Sequence, residues 1–333
     1  MRMSRRGLLA AGGMVGVGAL LSACGAEGKG AGGGAGGWSF KDDRGETVRA
    51  DSVPKRIVGY AAAAAALHDL GIECVGVFGP VAYKDGTPTP QAGSLDVRKL
   101  TSLSGAVGGD FNVEKYAALK PDLLVSNVNQ PPQLWAVPPE TSEKIRGLAP
   151  SVGIITAKVS VLQSIRRYAA LAESLGADLR AKKVTDAKAR FERAAERLRR
   201  AAEAKKGLKV LAAAAQPDAL SAGVPTAFPD TRYYAELGIE FIVPRNPGKD
   251  GFWEPVSWEN ANSYAADVIL LDARPNNVPL AELARLKPTW NRLPAVKADQ
   301  VVPWNNEAQS SYAGYAPLIE KLADAVEKAE KVT

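Results

Sequence analysis

The chain repeats part of itself without a gap. NVEKYAALKPDLLV (112–125) and SWENANSYAADVIL (257–270) each place a glutamate, Glu114 or Glu259, eight residues before an aspartate, Asp122 or Asp267, that opens an apolar strand. A looser pair, ALHDLGIECVGV and YYAELGIEFIVP, runs from a helix end through a glycine, Gly71 or Gly238, into a β-rich stretch. Two αβ units recurring in the same order predict an α/β protein of two lobes. Each lobe is expected to hold a largely parallel sheet of continuous apolar strands covered on both faces.

Between the repeats lies LRAKKVTDAKARFERAAERLRRAAEAKK, 179–206, with no glycine or proline. As a helix it would run roughly 40 Å. Val184, Phe191 and Leu198, with Ala187, Ala194 and Ala201 between them, form one narrow apolar stripe, and charged residues fill the other faces. Asp186 with Arg190 and Glu196 with Arg200 stand at the favourable i,i+4 spacing. Alone, such a helix reads equally as a surface arm; between two similar units it reads as a rigid strut joining them.

The ends of the chain divide off in turn. SRRGLLA, with adjacent Arg5 and Arg6, precedes a small-residue apolar stretch that closes on LSAC, Leu21 to Cys24. This is the layout of a targeting segment, and its apolar part is too short and glycine-rich for a membrane span. A tether of Gly, Ala and charge follows. The expected organisation is an export signal at 1–23, a lipidated Cys24 and flexible tether at 24–37, a first lobe at 38–178, the helix at 179–206 and a second lobe at 207–333. Loss of Arg2, Arg5 and Arg6 with the signal reduces the formal charge from +6 to +3. No basic cluster is interleaved with aromatics, so nucleic acid is not an expected partner despite a pI near 9.2. Cys74 is then the only thiol besides Cys24, which leaves no internal disulfide; it is expected to be a small buried hydrophobe in a strand.

Aromatic and polar residues gather in the loops expected at strand ends, where ligands of open α/β sheets bind. Tyr60 stands where the strand 56–60 must turn into a helix. Tyr83 and Lys84 lie in the long loop 79–94. Asn127, Asn129, Gln133 and Trp135 belong to the proline-rich stretch after strand 122–126. Trp253 is expected in a loop, Trp258 in a helix start, and Trp304 after the last strand. For Tyr60, Tyr83, Trp135 and Trp304, core packing accounts for the residue as well as ligand contact does.

PKRIV, NVEKYAALKPDLLV, the long helix, FWEPVSWENANSYAADVILL and WNRLPAVKADQVVPW, in this order over most of 38–333, resemble the periplasmic-type substrate-binding proteins of ABC transporters for ferric siderophores, cobalamin and haem. The resemblance implies two Rossmann-like lobes joined by one long rigid helix, with little hinge motion and a shallow ligand cleft between the lobes. GKDGFWEPVS is most similar to the ferric-hydroxamate binders, which implies that Trp253 packs against the ligand. Those proteins carry an arginine just before the helix of NVEKY, where this chain has Val107; Arg98, Arg232, Lys84 or the amides of Asn127, Asn129 and Gln133 are the candidate replacements. The start of the chain resembles a twin-arginine export signal with a lipobox, which implies a diacylglycerol on the Cys24 sulfur and anchoring to the extracytoplasmic face of the membrane. In the family one glutamate on each lobe pairs with permease arginines. The matching positions are Glu114 and Glu259, although the helix dipole favours a first-turn glutamate in any protein.

A hexadentate ferric siderophore leaves the iron no open position, so the implied protein is a monomeric carrier, not an enzyme. It needs no cofactor or metal ligands and works with an ABC permease and its ATPase. The lone His68 lies in a helix and is read as structural. A single histidine also disfavours zinc and manganese sites and removes a Ser-His-Asp triad. Cobalamin or haem binding, and in a different class a carboxylate-dependent enzyme, are the competing readings.

Overall fold

The computed structural model describes residues 37–105 and 108–333. The expected export segment, Cys24, nearly all of the tether and Val107 lie outside the described residues. A hairpin of β1 (Trp38–Lys41) and β2 (Thr47–Ala50) opens the first lobe. Then come β3 (Ile57–Tyr60), α1 (Ala61–Asp69), β4 (Gly76–Phe78), β5 (Thr101–Ser102), α2 (Val113–Ala118), β6 (Leu123–Val128), α3 (Ser142–Leu148) and β7 (Ser151–Ile155). The sheet order is β5-β4-β3-β6-β7, and every pair is parallel. The strands Ile57–Tyr60 and Gly76–Phe78 are buried throughout, as the continuous apolar runs demand. Cys74 is buried as expected but precedes β4 rather than lying within it.

Two helices, α4 (Val161–Ser174) and α5 (Lys182–Ala204), lead into the second lobe. There β8 (Lys209–Ala215), β9 (Ala219–Gly223), α6 (Pro229–Glu236), β10 (Glu240–Phe241), β11 (Trp253–Ser257), β12 (Val268–Asp272), α7 (Leu280–Leu286), α8 (Pro294–Lys297), β13 (Val301–Trp304) and α9 (Tyr312–Lys328) follow. The sheet runs β11-β9-β8-β12-β13, with β10 also on β8. It is mixed: β9 and β11 are antiparallel additions to a parallel core of β10, β8, β12 and β13. Trp253 therefore opens an edge strand instead of lying in a loop. Trp258 stands in a short 3-10 helix, Trp258–Ser263, and is buried there with Nε1 donating to the Gln216 carbonyl at 3.0 Å.

The internal repeat has a physical cause. Asp122 Oδ2 accepts from the Lys55 and Arg56 amides at 3.0 and 2.9 Å, just before β3, the strand that pairs with β6. Asp267 Oδ2 accepts from the Lys209 amide at 2.7 Å, where β8 begins, and β8 pairs with β12. In each lobe one carboxylate fixes the register of two central parallel strands. Hydrogen bonds from the Arg56 and Lys55 amides hold the Asp122 carboxyl below its usual range; at Asp267 burial acts the other way, but the Lys209, Val332 and Thr333 donors prevail.

Both long helices serve both cores. Val184 of α5 packs with the first-lobe cluster, whereas Phe191, Ala194, Ala195, Leu198, Ala201 and Ala202 pack with the second. Likewise Tyr168, Leu171 and Ala172 of α4 join the first cluster, and Val161 and Ile165 the second. Phe191 stacks on Tyr233 with ring centroids 5.5 Å apart and meets Tyr312 edge-on at 5.4 Å. The expected intrahelical partner of Arg190 is not used: its guanidinium makes a two-toothed contact with Glu320 of α9 at 2.8 and 2.6 Å, while Asp186 pairs with Lys182. A fork matched to a carboxylate on the neighbouring helix outcompetes a single-point contact along its own. Gly37–Thr333 form one compact unit.

Candidate binding cleft

Tyr60 ends β3, Asn127 stands near the end of β6 and Asn129 just beyond it; the chain then crosses to opposite sides of this strand pair. In the second lobe Arg274 follows β12, and Asn306 and Glu307 follow β13. These carboxyl ends, with parts of the adjoining loops, line one cleft of about 300 Å³. The first lobe contributes Tyr60, Gln91, Asn127, Asn129 and Trp135. The second contributes Phe228, Phe252, Trp253, Arg274 and Glu307, so the ligand space is shared between the lobes.

One wall is aromatic. Phe228 meets Phe252, Trp253 and Trp304 edge-on, with centroids 5.5, 4.9 and 5.0 Å away, and Trp253 tilts against Trp304 at 6.0 Å. Each ring holds the next in place, which fixes the half-buried Trp253 face toward the cleft without a large entropy loss on binding. The opposite wall is polar and equally held. Asn127 Oδ1 accepts from the Tyr168 hydroxyl and Asn129 Oδ1 from Thr156 Oγ1 at 3.0 Å, while Ser126 Oγ donates to the Trp135 carbonyl at 2.7 Å. Trp135 itself is 47% exposed at the mouth.

A hydrogen-bonded chain crosses the cleft. The Tyr60 hydroxyl donates to Gln91 Oε1 at 2.5 Å, Gln91 Nε2 to Glu307 Oε2 at 2.9 Å, and Arg274 Nη1 to Glu307 Oε1 at 3.1 Å. Arg274 also grips Asp272, with Nε 2.8 Å and Nη2 2.5 Å from Oδ2. Burial, and then the nearby Glu307 charge, push the Tyr60 phenol well above its ordinary pKa, so it remains a neutral donor. The Asn306 side-chain oxygen and nitrogen are both buried without a partner among the described residues, beside Glu307 in the lining.

Of the residues singled out in the sequence, Tyr60, Asn129, Trp135 and Trp253 thus come together. Trp304 is 4% exposed and backs the aromatic wall, with Nε1 donating to Asp230 Oδ2 at 2.6 Å. Tyr83 stands outside the lining, its phenol raised first by burial and then by the Glu307 and Asp272 charges. Arg232 does not reach the cleft; Nε and Nη2 turn back onto the Thr226 carbonyl at 3.2 and 2.9 Å. Arg98 pairs with Asp96 on the surface, and Lys84 is exposed. The cleft arginine is Arg274. The repeat carries the signal for it: seven residues beyond Asp122 stands Asn129, and seven beyond Asp267 stands Arg274, and both line the cleft. Glu114 and Glu259 are both exposed, each in the first turn of the helical segment ahead of β6 or β12. His68 lies in α1 with Nδ1 2.8 Å from Glu73 Oε1, outside the lining. Among the described residues no cluster of three histidine, cysteine or carboxylate ligands is placed to hold a metal, and no helix is long and apolar enough to cross a membrane.

Two α/β lobes that share two helices, with one preformed cleft built from both, define a ligand-binding protein. Residues 59–308 match the periplasmic binding protein family, and the chain belongs to that family. It is similar to DesE, a ferric-siderophore receptor protein from Streptomyces coelicolor, with 47% identity over 89% of this chain and 100% of that one, and a TM-score of 0.83. Petrobactin-binding YclQ from Bacillus subtilis (18% identity, 88% and 99% coverage, TM-score 0.65) shares the fold. So does the FhuD protein from S. pseudintermedius (21% identity, 88% and 98% coverage, TM-score 0.59). No curated protein matches the sequence.

Proposed function

We propose that the protein is the extracytoplasmic binding component of an ABC importer, capturing a ferric siderophore of the hydroxamate type and handing it unchanged to a membrane permease driven by its ATPase. The observation that carries this reading is the pairing of a rigid aromatic wall, Phe228, Phe252 and Trp253, with a wall of amides and one tyrosine, Asn127, Asn129, Gln91 and Tyr60. Such a cleft suits a bulky organic shell that is apolar outside and rich in carbonyl and N–O acceptors near its metal. The iron enters as cargo inside the siderophore, and the protein supplies neither a ligand to it nor a cofactor. A ferric catecholate, with its larger negative charge, calls for several free cations, whereas among the described residues Arg274 is the only cation of the lining and is already held by Asp272 and Glu307. The likeness to DesE, a ferric-siderophore receptor protein, supports a ferric siderophore as the ligand.

The delivery side of the proposal has the chain exported by a twin-arginine signal, anchored through a diacylglyceryl group on Cys24 and acting as a monomer. Glu114 and Glu259 dock the two lobes on the permease. The test is a titration of the mature protein with ferric hydroxamates, ferric catecholates, haem and cobalamin, followed by tryptophan fluorescence. Saturable quenching by hydroxamates at micromolar levels or below is expected. Quenching only by haem or cobalamin would move the protein to another ligand class, and turnover of any of them would make it an enzyme.

A further inference from the structure

We propose that Glu307 selects the ligand by charge: the cleft takes ferric hydroxamates that are neutral or carry a protonated amine and rejects those bearing a free carboxylate. This rests on the siderophore reading and adds a specificity residue to it. The charged residues of the lining are Asp250, Arg274 and Glu307. Arg274 does not act as a free cation there. Its Nε and Nη2 are committed to Asp272, whose side chain is fully buried, and its Nη1 to Glu307. Two carboxylates thus surround one guanidinium, leaving the group with one negative charge in excess. At the other side of the lining the Lys158 ammonium, 5.3 Å from the Phe252 ring centre and bonded to the Asp250 backbone carbonyl, stands near the remaining acid as a second cation.

The excess charge faces the ligand. Glu307 accepts one hydrogen bond on each oxygen, from Arg274 and from Gln91, and its side chain is still 36% exposed. An ionised carboxylate accepts about four such bonds, so lone pairs remain for a donor on the ligand, and the group has no hydrogen to offer an anion. Gln91 and Arg274 hold Glu307 from both lobes, so it cannot swing away when an unsuitable ligand enters. A unit charge brought into a partly desolvated cleft beside it is screened far less than on an open surface.

One chelating core with three end groups provides the test. The probes are ferric complexes of a linear trihydroxamate ending in a free amine, in a neutral succinamide cap, or in a succinate cap of equal length. Each is titrated by fluorescence against wild type and Glu307→Gln, with thermal melts confirming that the variant is folded. Wild type is expected to bind the amine and succinamide forms on the order of tenfold tighter than the succinate form, and Glu307→Gln to bring the three close to equal. Equal binding of all three by wild type, or an unchanged preference in the variant, would overturn the role of Glu307. Binding of none of the three would instead remove the hydroxamate reading, and the proposal with it.

Discussion

Ser311 Oγ donates a 2.6 Å hydrogen bond to Asp69 Oδ2, joining the start of α9 in the second lobe to the end of α1 in the first. The same oxygen accepts from Gln309 Nε2 at 3.1 Å, and Asp69 Oδ1 accepts from Ser94 Oγ at 2.7 Å. Asp69, Gln309 and Ser311 are all buried. Gly93, at φ 52°, lets the backbone pass so near Gln309 that a Cβ would stand 2.5 Å from its Nε2. Together with the two shared helices, this clamp ties the two lobes to each other. Asp69→Ala would strand two buried donors, Gln309 Nε2 and Ser311 Oγ, so a loss of about 2–3 kcal/mol is expected in chemical denaturation. An unchanged midpoint would mean that the clamp contributes nothing.

Asp230 gives a pH dependence of defined sign. Burial pushes its carboxyl up to about 6 from 3.8, although the Trp304 Nε1 and Thr231 amide bonds pull it down. Between those values the native state holds a proton that the unfolded chain has released. The stability from this group is therefore complete below about pH 4 and is lost as the pH rises through 6. Asp230→Asn keeps an acceptor for Trp304 and has no such loss. Its stability relative to wild type should climb by on the order of 2–3 kcal/mol from pH 4 to 6 and then level off. Parallel thermal melts across pH 4–8 measure the difference, and a flat one would remove the assignment.

Trp253→Ala should lose on the order of 1–3 kcal/mol of siderophore affinity if the indole packs on the ligand shell. As a loop residue it would leave folding nearly untouched. As the first residue of β11, with its ring on Phe228 and beside Gly223, it should also lower the melting temperature modestly. Trp253→Phe keeps part of both contacts and should fall between. Affinity equal to wild type in the alanine variant would assign the ring to packing alone.

What was legible in the sequence follows from where the determining interactions lie. The parallel cores could be read because their signals are local: apolar runs, Gly71 and Gly238 in left-handed conformation after helices, and an aspartate opening an apolar strand in each lobe. The stripe on α5 was visible for the same reason. The strand β9, ALSAG, hides its burial in small residues, and β11 carries Pro255 on an edge, so neither shows a strand signal in the sequence. Glu307 and Gln91 stand 216 residues apart, and only the folded chain brings them into contact. The sequence offers Arg98, Arg232 and Lys84 for the cleft cation, yet none of these lines the cleft, and Arg274 stands there at the repeat position of Asn129.

The docking prediction concerns Glu114 and Glu259. The repeat puts them at matching points, Glu114 in α2 and Glu259 in the 3-10 segment before β12, and both are exposed. Neither lines the cleft, so a charge change at either should not reach the ligand. Two carboxylates on two similar lobes suit a permease with two-fold symmetry, and contacts of this kind act mainly through steering and register, weakening with salt. Reversing both to lysine is expected to abolish siderophore uptake in cells while the purified variant binds ligand as wild type does. The single reversals should each reduce uptake in part. If the double variant supported normal uptake, the two glutamates would be left with the first-turn role that the helix dipole gives them in any protein.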